Sequence, residues 1–366
     1  LTVPDLPPDL LSRPAEAAVR LVALHHLDAA AAALARRHDP DDAEALHDFR
    51  VGLRRLRSAT RAYRPHLKTG APKRLRRRLR TLAAATNAGR DAEVLLAWLR
   101  DQAEGLPARE RVGWRWLVAR LEQELEDAAA ALERIAARFA KLERRLRRRL
   151  ASYRLKVELN EEGGVTTGAT FGAIAADAIR DQAEDLARRL DDGPESGDPV
   201  AVHAARISAK RLRYLLEPVD VGGPVVQRLK ALQDLLGELN DAHVASRRLA
   251  DAVEAAGAER ARELFHRALD RPAPPEQAPR RRDERPGLVT LARRMRERWD
   301  AAFARLDAGW LHGRAALFFR DVATLVDGLA ASASRRPGAP ESPAGVARLT
   351  VAARRARRPR RARRRV

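Results

Sequence analysis

LHDFRVGLRRLRSATRAY, residues 46–63, decides how the chain is to be read. His47, Arg50, Arg54, Arg57 and Arg61 recur at steps of three and four, which places all five on one face of a helix. Leu46, Phe49, Leu53 and Leu56 keep the same rhythm one position earlier, so an apolar stripe runs beside the basic one. Like charges at this spacing destabilise an isolated helix by a few tenths of a kcal/mol per pair. A nearby polyanion reverses the sign of that contribution. Taken alone, the stretch also reads as a solvated face of an Arg-rich protein.

A second copy changes the reading. VHAARISAKRLRYLLEP, residues 202–218, puts His203, Arg206, Lys210 and Arg213 in the same positions, with Val202, Ala205, Ala209, Leu212 and Leu216 as the apolar stripe. Arg54-Arg55-Leu56-Arg57 aligns with Lys210-Arg211-Leu212-Arg213. Further on, Arg78, Leu79, Arg80 and Leu82 match Arg228, Leu229, Lys230 and Leu232. Arg90-Asp91-Ala92-Glu93-Val94 matches Asn240-Asp241-Ala242-His243-Val244. From His47 to Asp91 is 44 residues and from His203 to Asp241 is 38, so the second copy has the shorter connection. The pattern is that of an internal duplication.

With H-x-x-R-[hydrophobic]-x-x-[RK]-R-L-R in both halves, each followed by a basic helix and an Asp-containing segment, the chain resembles the CHAD (conserved histidine α-helical domain) family over about residues 10–306. The resemblance implies two four-helix bundles related by a pseudo-two-fold, around a basic central channel that binds inorganic polyphosphate. It places the first bundle at about 14–158 and the second at about 172–306. The E-x-E-x-K strand of a triphosphate-tunnel (CYTH) domain, which accompanies some members, does not occur here, so the standalone type is expected.

Composition points the same way. Net charge is +21, the isoelectric point is about 11.3 and aromatic residues make up only 4%, in a chain dominated by Ala, Leu and Arg with long periodic segments. These features predict an all-α protein with an anionic partner. The last nineteen residues hold ten Arg and no acid, which leaves about +11 on the remainder. The absence of cysteine excludes disulfide scaffolds and Cys-ligated metals. No run of about 18 apolar residues stands out as a membrane span, and LTVPDLPPDLLSRP lacks the charge and apolar core of a signal peptide. A cytoplasmic protein without a membrane partner is therefore expected. The chain opens on Leu rather than Met, compatible with trimming of an upstream segment.

In chain order, Pro14 suits the start of a helix running to about Arg37. His25 and His26 lie in it without partners at metal-ligand spacing. Asp41 or Asp42 is placed to cap the motif helix. Lys73–Arg80 begins a third helix in which Leu75, Leu79 and Leu82 are the buried stripe. Lys73, Arg77 and Arg80 lie on one neighbouring face and Arg74 and Arg78 on another; the recurrence of Arg78 and Arg80 in the second copy favours those two over Arg74 and Arg76. Asn87-Ala88-Gly89 is a candidate interruption. A long helix is predicted over about 108–158 and a linker over 160–172. The second half repeats the plan, with 271–286 a flexible insertion. An extra apolar helix is predicted at about 310–330 and a disordered basic tail at 333–366.

The chemistry is that of a binder. There is no G-x-S-x-G, Ser208 sits inside a cationic motif, and the carboxylates Asp91 and Asp241 come one per half. Those Asp are expected to anchor arginines by charge-assisted hydrogen bonds. Polyphosphate offers only charged oxygens, so it calls for forked Arg donors and Lys point charges. Single-stranded nucleic acid normally calls for aromatic residues among the cations as well. The motif faces are cationic without being aromatic. The expected wall is His47, Arg50, Arg54, Arg55, Arg57, Arg78 and Arg80 from the first half and His203, Arg206, Lys210, Arg211, Arg213, Arg228 and Lys230 from the second. No cofactor, metal or catalytic residue is expected. Polyphosphate-granule association follows from such binding, and the tail adds non-specific attraction to nucleic acid. Two alternatives stay open: a basic nucleic-acid-associated helical protein, and a metal-dependent phosphohydrolase using Asp91 and Asp241.

Overall fold

The apolar stripes at three- and four-residue spacing form helices whose buried faces meet in one continuous core. A computed structural model describes residues 5–39, 41–42, 44–87, 89–160, 169–191, 198–219, 223–269 and 283–334, and side chains for all of these except 153–160 and 332–334. Among the described residues there are ten α-helices and no strand. The first half holds α1 (Ala15–Ala35), α2 (Ala45–Ala62), α3 (Lys73–Ala85), α4 (Arg90–Gln102) and α5 (Arg111–Asn160). The second holds α6 (Phe171–Asp191), α7 (Pro199–Leu216), α8 (Pro224–Leu269) and α9 (Arg285–Trp310), followed by α10 (Ala316–Ser334). The proposed linker at 161–168, most of the 271–286 insertion and the tail from 335 lie outside the described residues.

Within each half the first two helices pair, α1 with α2 and α6 with α7, and the later ones pair as α4 with α5 and α8 with α9. Across the halves, α1 meets α6, α2 meets α7, α4 meets α8 and α5 meets α9. Two of these contacts are reciprocal. Ala15 N–H donates to Ala169 O while Phe171 N–H donates to Arg13 O, both at 2.9 Å. At the starts of α5 and α9, a Cβ on Gly113 would come within 2.1 Å of Glu284 O, and one on Gly287 within 2.0 Å of Glu110 O. Glu110-x-x-Gly113 and Glu284-x-x-Gly287 thus cross backbone to backbone, an approach only glycine allows.

Several boundaries differ from expectation. The Asn87–Gly89 break is real and separates α3 from α4, but the second half runs through the same place as the single helix α8. Arg78 to Asp91 and Arg228 to Asp241 nevertheless keep the same spacing, so the shorter connection falls between the motif helix and the next one. Asp42 does not cap α2. Its carboxylate accepts from Glu44 N–H (3.2 Å) and pairs with Arg36, and α2 starts uncapped at Ala45. α7 carries the true cap, with Asp198 accepting from Val200 and Ala201 N–H and Pro199 at the first position. The added helix α10 lies along α6, burying Phe318, Val322 and Val326. One described stretch, Ala15–His38 (mean hydropathy 1.3), does reach the length and apolarity of a membrane span, contrary to the sequence expectation. It is the core helix of the first half, with Ala18, Val19, Val22, Ala23 and Leu27 fully buried. His26 lies there too, its pKa driven down to about 3 by burial.

Candidate cation-lined cleft

Helices α2, α3 and α7 enclose a cleft of about 690 Å³. Arg54, Arg57 and Arg61 reach it from α2, and Lys73, Arg76, Arg77 and Arg80 from α3. His203, Arg206, Lys210 and Arg211 come from α7 and Arg64 from the turn after α2. None of the lining residues is acidic, and Tyr214 is the one Phe, Tyr or Trp among them. The cleft exists because α2 and α7 turn their apolar stripes into the core (Phe49, Leu53 and Leu56; Val202, Ala205, Ala209 and Leu212). The adjoining basic stripes are then left to face α3.

The electrostatics are those of crowded cations whose nearest carboxylates act only from a distance. Burial pushes the Lys210 ammonium down to about 7, helped by Arg206 and Arg54 and opposed by Asp241. Burial likewise lowers Arg57, Arg206 and Arg211. Neighbouring cations add to this: Arg80 and Arg61 at Arg57, Arg54 at Arg206, and Arg61 at Arg211. Guanidinium stays charged throughout, so these shifts register mainly the burial of charge, with repulsion between neighbours added and Asp241 opposing it at Arg206. The Nε groups of Arg54 and Arg206 are buried without a hydrogen-bond partner. His203 is fixed at the rim by Nδ1 against Asn240 Oδ1 (2.8 Å), which leaves Nε2 for a second partner.

The two repeats do not contribute equally, and the aligned positions explain why. Arg50 is buried; it donates from Nε to Thr86 O (2.8 Å) and forks onto Glu93 (2.9 and 3.2 Å). Its counterpart Arg206 finds His243 where Glu93 would be, and remains in the cleft. Arg55 forks onto Glu217 (2.7 and 3.1 Å), which also takes Arg213 Nε at 3.1 Å. By the same alignment the counterparts of Arg55 and Glu217 are Arg211 and Arg61, two cations that repel. His47 is exposed outside the cleft, and Arg90 stands where Asn240 hydrogen-bonds His203.

Half of the expected wall is therefore elsewhere. Arg50, Arg55 and Arg213 are ion-paired structural residues. Arg78 lies on the far side of α3, beside Arg145 and Arg148 of α5. Arg228 pairs with Asp321 (2.5 Å) and covers the Phe318 ring, and Lys230 is exposed outside the cleft. Expected residues that do line it are Arg54, Arg57, Arg80, His203, Arg206, Lys210 and Arg211. Arg61, Arg64, Lys73, Arg76 and Arg77 join them. Lys73, Arg77 and Arg80 share a helical face legible in the sequence, and weighting residues by recurrence obscured it.

The aspartates also act differently from expectation. Among the described residues no arginine hydrogen-bonds to Asp91 or Asp241; Asp241 acts on Arg206 and Lys210 only through its field. Burial raises Asp91, with Asp241 adding to the rise and Arg248 opposing it. The anchoring expected of them falls to Glu93 and Glu217. Ser208 is fully buried and donates to Asp185 (2.7 Å). Among the described residues no group of three His, Asp or Glu side chains comes together to hold a metal ion.

The CHAD domain family matches residues 21–250, and the chain belongs to that family. Its fold is similar to the crystal structure of the CHAD domain from the plant Ricinus communis, with a TM-score of 0.54 and 24% identity over 77% of this chain and 93% of that one. It is also similar to PptA from Streptomyces chartreusis, with a TM-score of 0.56 and 17% identity over 85% and 100%. No curated protein sequence matches the chain.

Proposed function

We propose that this protein binds inorganic polyphosphate, without turning it over, in the cleft between α2, α3 and α7. The carrying observation is the buried cation set around Lys210 in a cleft lined by no carboxylate: a lysine driven down to about 7 beside two arginines whose Nε groups lack partners. A run of phosphates supplies the missing acceptors and charge together. The near absence of aromatic rings favours a phosphate chain over a single-stranded nucleic acid, whose bases normally stack. Membership of the CHAD family adds to this reading. A cytoplasmic location with polyphosphate-granule association is part of the same proposal.

The test is binding of long-chain polyphosphate and of length-matched DNA to the full chain and to a variant with Arg57, Arg206, Lys210 and Arg211 changed to Gln. The affinity for polyphosphate should exceed that for DNA. Its logarithmic salt slope should flatten in the variant by about 3, at about 0.7 per lost phosphate contact on a flexible chain. Equal affinity for DNA favours the nucleic-acid reading, and an unchanged slope removes the cleft as the site. Release of phosphate from polyphosphate in the presence of Mg²⁺ favours a phosphohydrolase.

A further inference from the structure

On its other side α3 borders a second basic groove, of about 540 Å³. Arg74 and Arg78, one turn apart on α3, form one wall, and Arg145, Arg148 and Arg149 of α5 form the other. Elsewhere on α5, arginines that face carboxylates take them, as Arg147 does with Asp28 (2.6 Å) and Glu143 (2.8 Å). Among the described residues no carboxylate pairs with Arg74, Arg78, Arg145 or Arg148. The walls are pinned to each other from below by the buried Arg20, whose guanidinium donates to Thr69 Oγ1 (2.5 Å) just before α3 and to Arg149 O (3.0 Å) on α5. Arg149 returns a hydrogen bond to Thr69 O (3.2 Å). Five arginines thus line one groove whose two walls are fixed to each other.

Consecutive residues of α3 divide between the two basins: Lys73, Arg76 and Arg77 belong to the cleft, Arg74 and Arg78 to the groove. The separation is one helix, about 10–12 Å across. Resting on the reading of the cleft given above, we propose that the groove is a second seat for the same polyphosphate chain, which leaves the cleft across the first turn of α3 and continues between α3 and α5. The site then selects for length. A short polyphosphate occupies the cleft, and only a longer one reaches both.

Arginine footprinting with phenylglyoxal on the full chain, read residue by residue by mass spectrometry, tests this with long-chain polyphosphate and with tripolyphosphate as probes. Long-chain polyphosphate should protect Arg74, Arg78, Arg145 and Arg148 together with Arg54 and Arg57, whereas tripolyphosphate at equal phosphate concentration should protect the second pair alone. Changing the four groove arginines to Gln should flatten the long-chain salt slope by about 3 and leave tripolyphosphate binding as it was. Protection of the cleft pair alone by the long chain overturns the second seat and leaves the cleft intact as the site. Protection of the groove alone overturns the continuous path and the cleft reading with it, and protection of neither set overturns both.

Discussion

Arg55 of α2 and Glu217, one residue beyond α7, form a two-pronged ion pair that joins the repeats, and the aligned pair, Arg211 and Arg61, is a repulsion. The carboxylate of Glu217 also holds Arg213. Replacing Glu217 with Gln leaves both guanidinia without their counter-charge at the edge of the α2–α7 contact. The polyphosphate salt slope of Glu217→Gln should steepen by about 0.7 or more. Stability should fall by about 1 kcal/mol or less, since the groups are partly solvated. Titrations at two salt concentrations check the first effect and thermal melts the second.

Lys210 gives the protein two opposed pH dependences. Its pKa in the free fold is about 7, against 10.5 for an ordinary lysine. Bound polyanion raises it, so binding takes up a proton at neutral and alkaline pH, and affinity should decline as pH rises above about 7. Stability runs the other way. Between about pH 7 and 10.5 the unfolded chain holds this proton and the fold does not, so Lys210 makes stability rise with pH across that window. Lys210→Arg should remove both trends, as seen by calorimetry in buffers of different ionisation heat and by denaturant midpoints from pH 6.5 to 9.

Arg50 and Arg206 occupy the same position in the two repeats and should respond in opposite ways to substitution. Arg50→Gln leaves Glu93 with only the more distant Arg90 (3.5 Å) and Thr86 O without its donor, and should cost about 2–4 kcal/mol of stability with little change in polyphosphate binding. Arg206→Gln removes a buried charge that burial disfavours and that Asp241 offsets only from a distance. It should weaken binding while leaving stability unchanged or slightly higher. Parallel urea unfolding and binding isotherms distinguish the two.

Gly113→Ala and Gly287→Ala each drive a methyl group into a backbone carbonyl of the facing helix. Neither carbonyl is the end of a flexible side chain, so α5 and α9 must separate. Each change should cost about 1–3 kcal/mol, the scale of overpacking in a close-packed contact, measured as a lower urea midpoint at unchanged helical circular dichroism.

The helices were legible because their periodicity is dense: Phe49, Leu53 and Leu56, or Leu229, Leu232 and Leu236, leave no other register. The two motif helices α2 and α7 were legible for the same reason, through stretches that differ little in type. What sequence could not give was neutralisation. Arg50 and Arg55 are indistinguishable from cleft residues until Glu93 and Glu217, 43 and 162 positions away, are seen to reach them, whereas Arg213 meets Glu217 four residues further along the chain. A substitution at an aligned position carries that information, as Glu93 against His243 does. Its meaning appears only when the helices are placed side by side. The recurrence of Arg78 did not place it in the cleft: it faces the groove beside α5, while its counterpart Arg228 serves α10.

A phosphate polymer reads the same from either end, and so would a pair of identical repeats. Two equivalent half-sites could hold such a chain in overlapping registers, each competing with the other. Glu93 and Glu217 tie down Arg50, Arg55 and Arg213, so the cations left over on α2, α3 and α7 gather in a single cleft. Under the reading proposed here, a directionless ligand is given one place to enter, and the groove beyond α3 is where a longer chain continues.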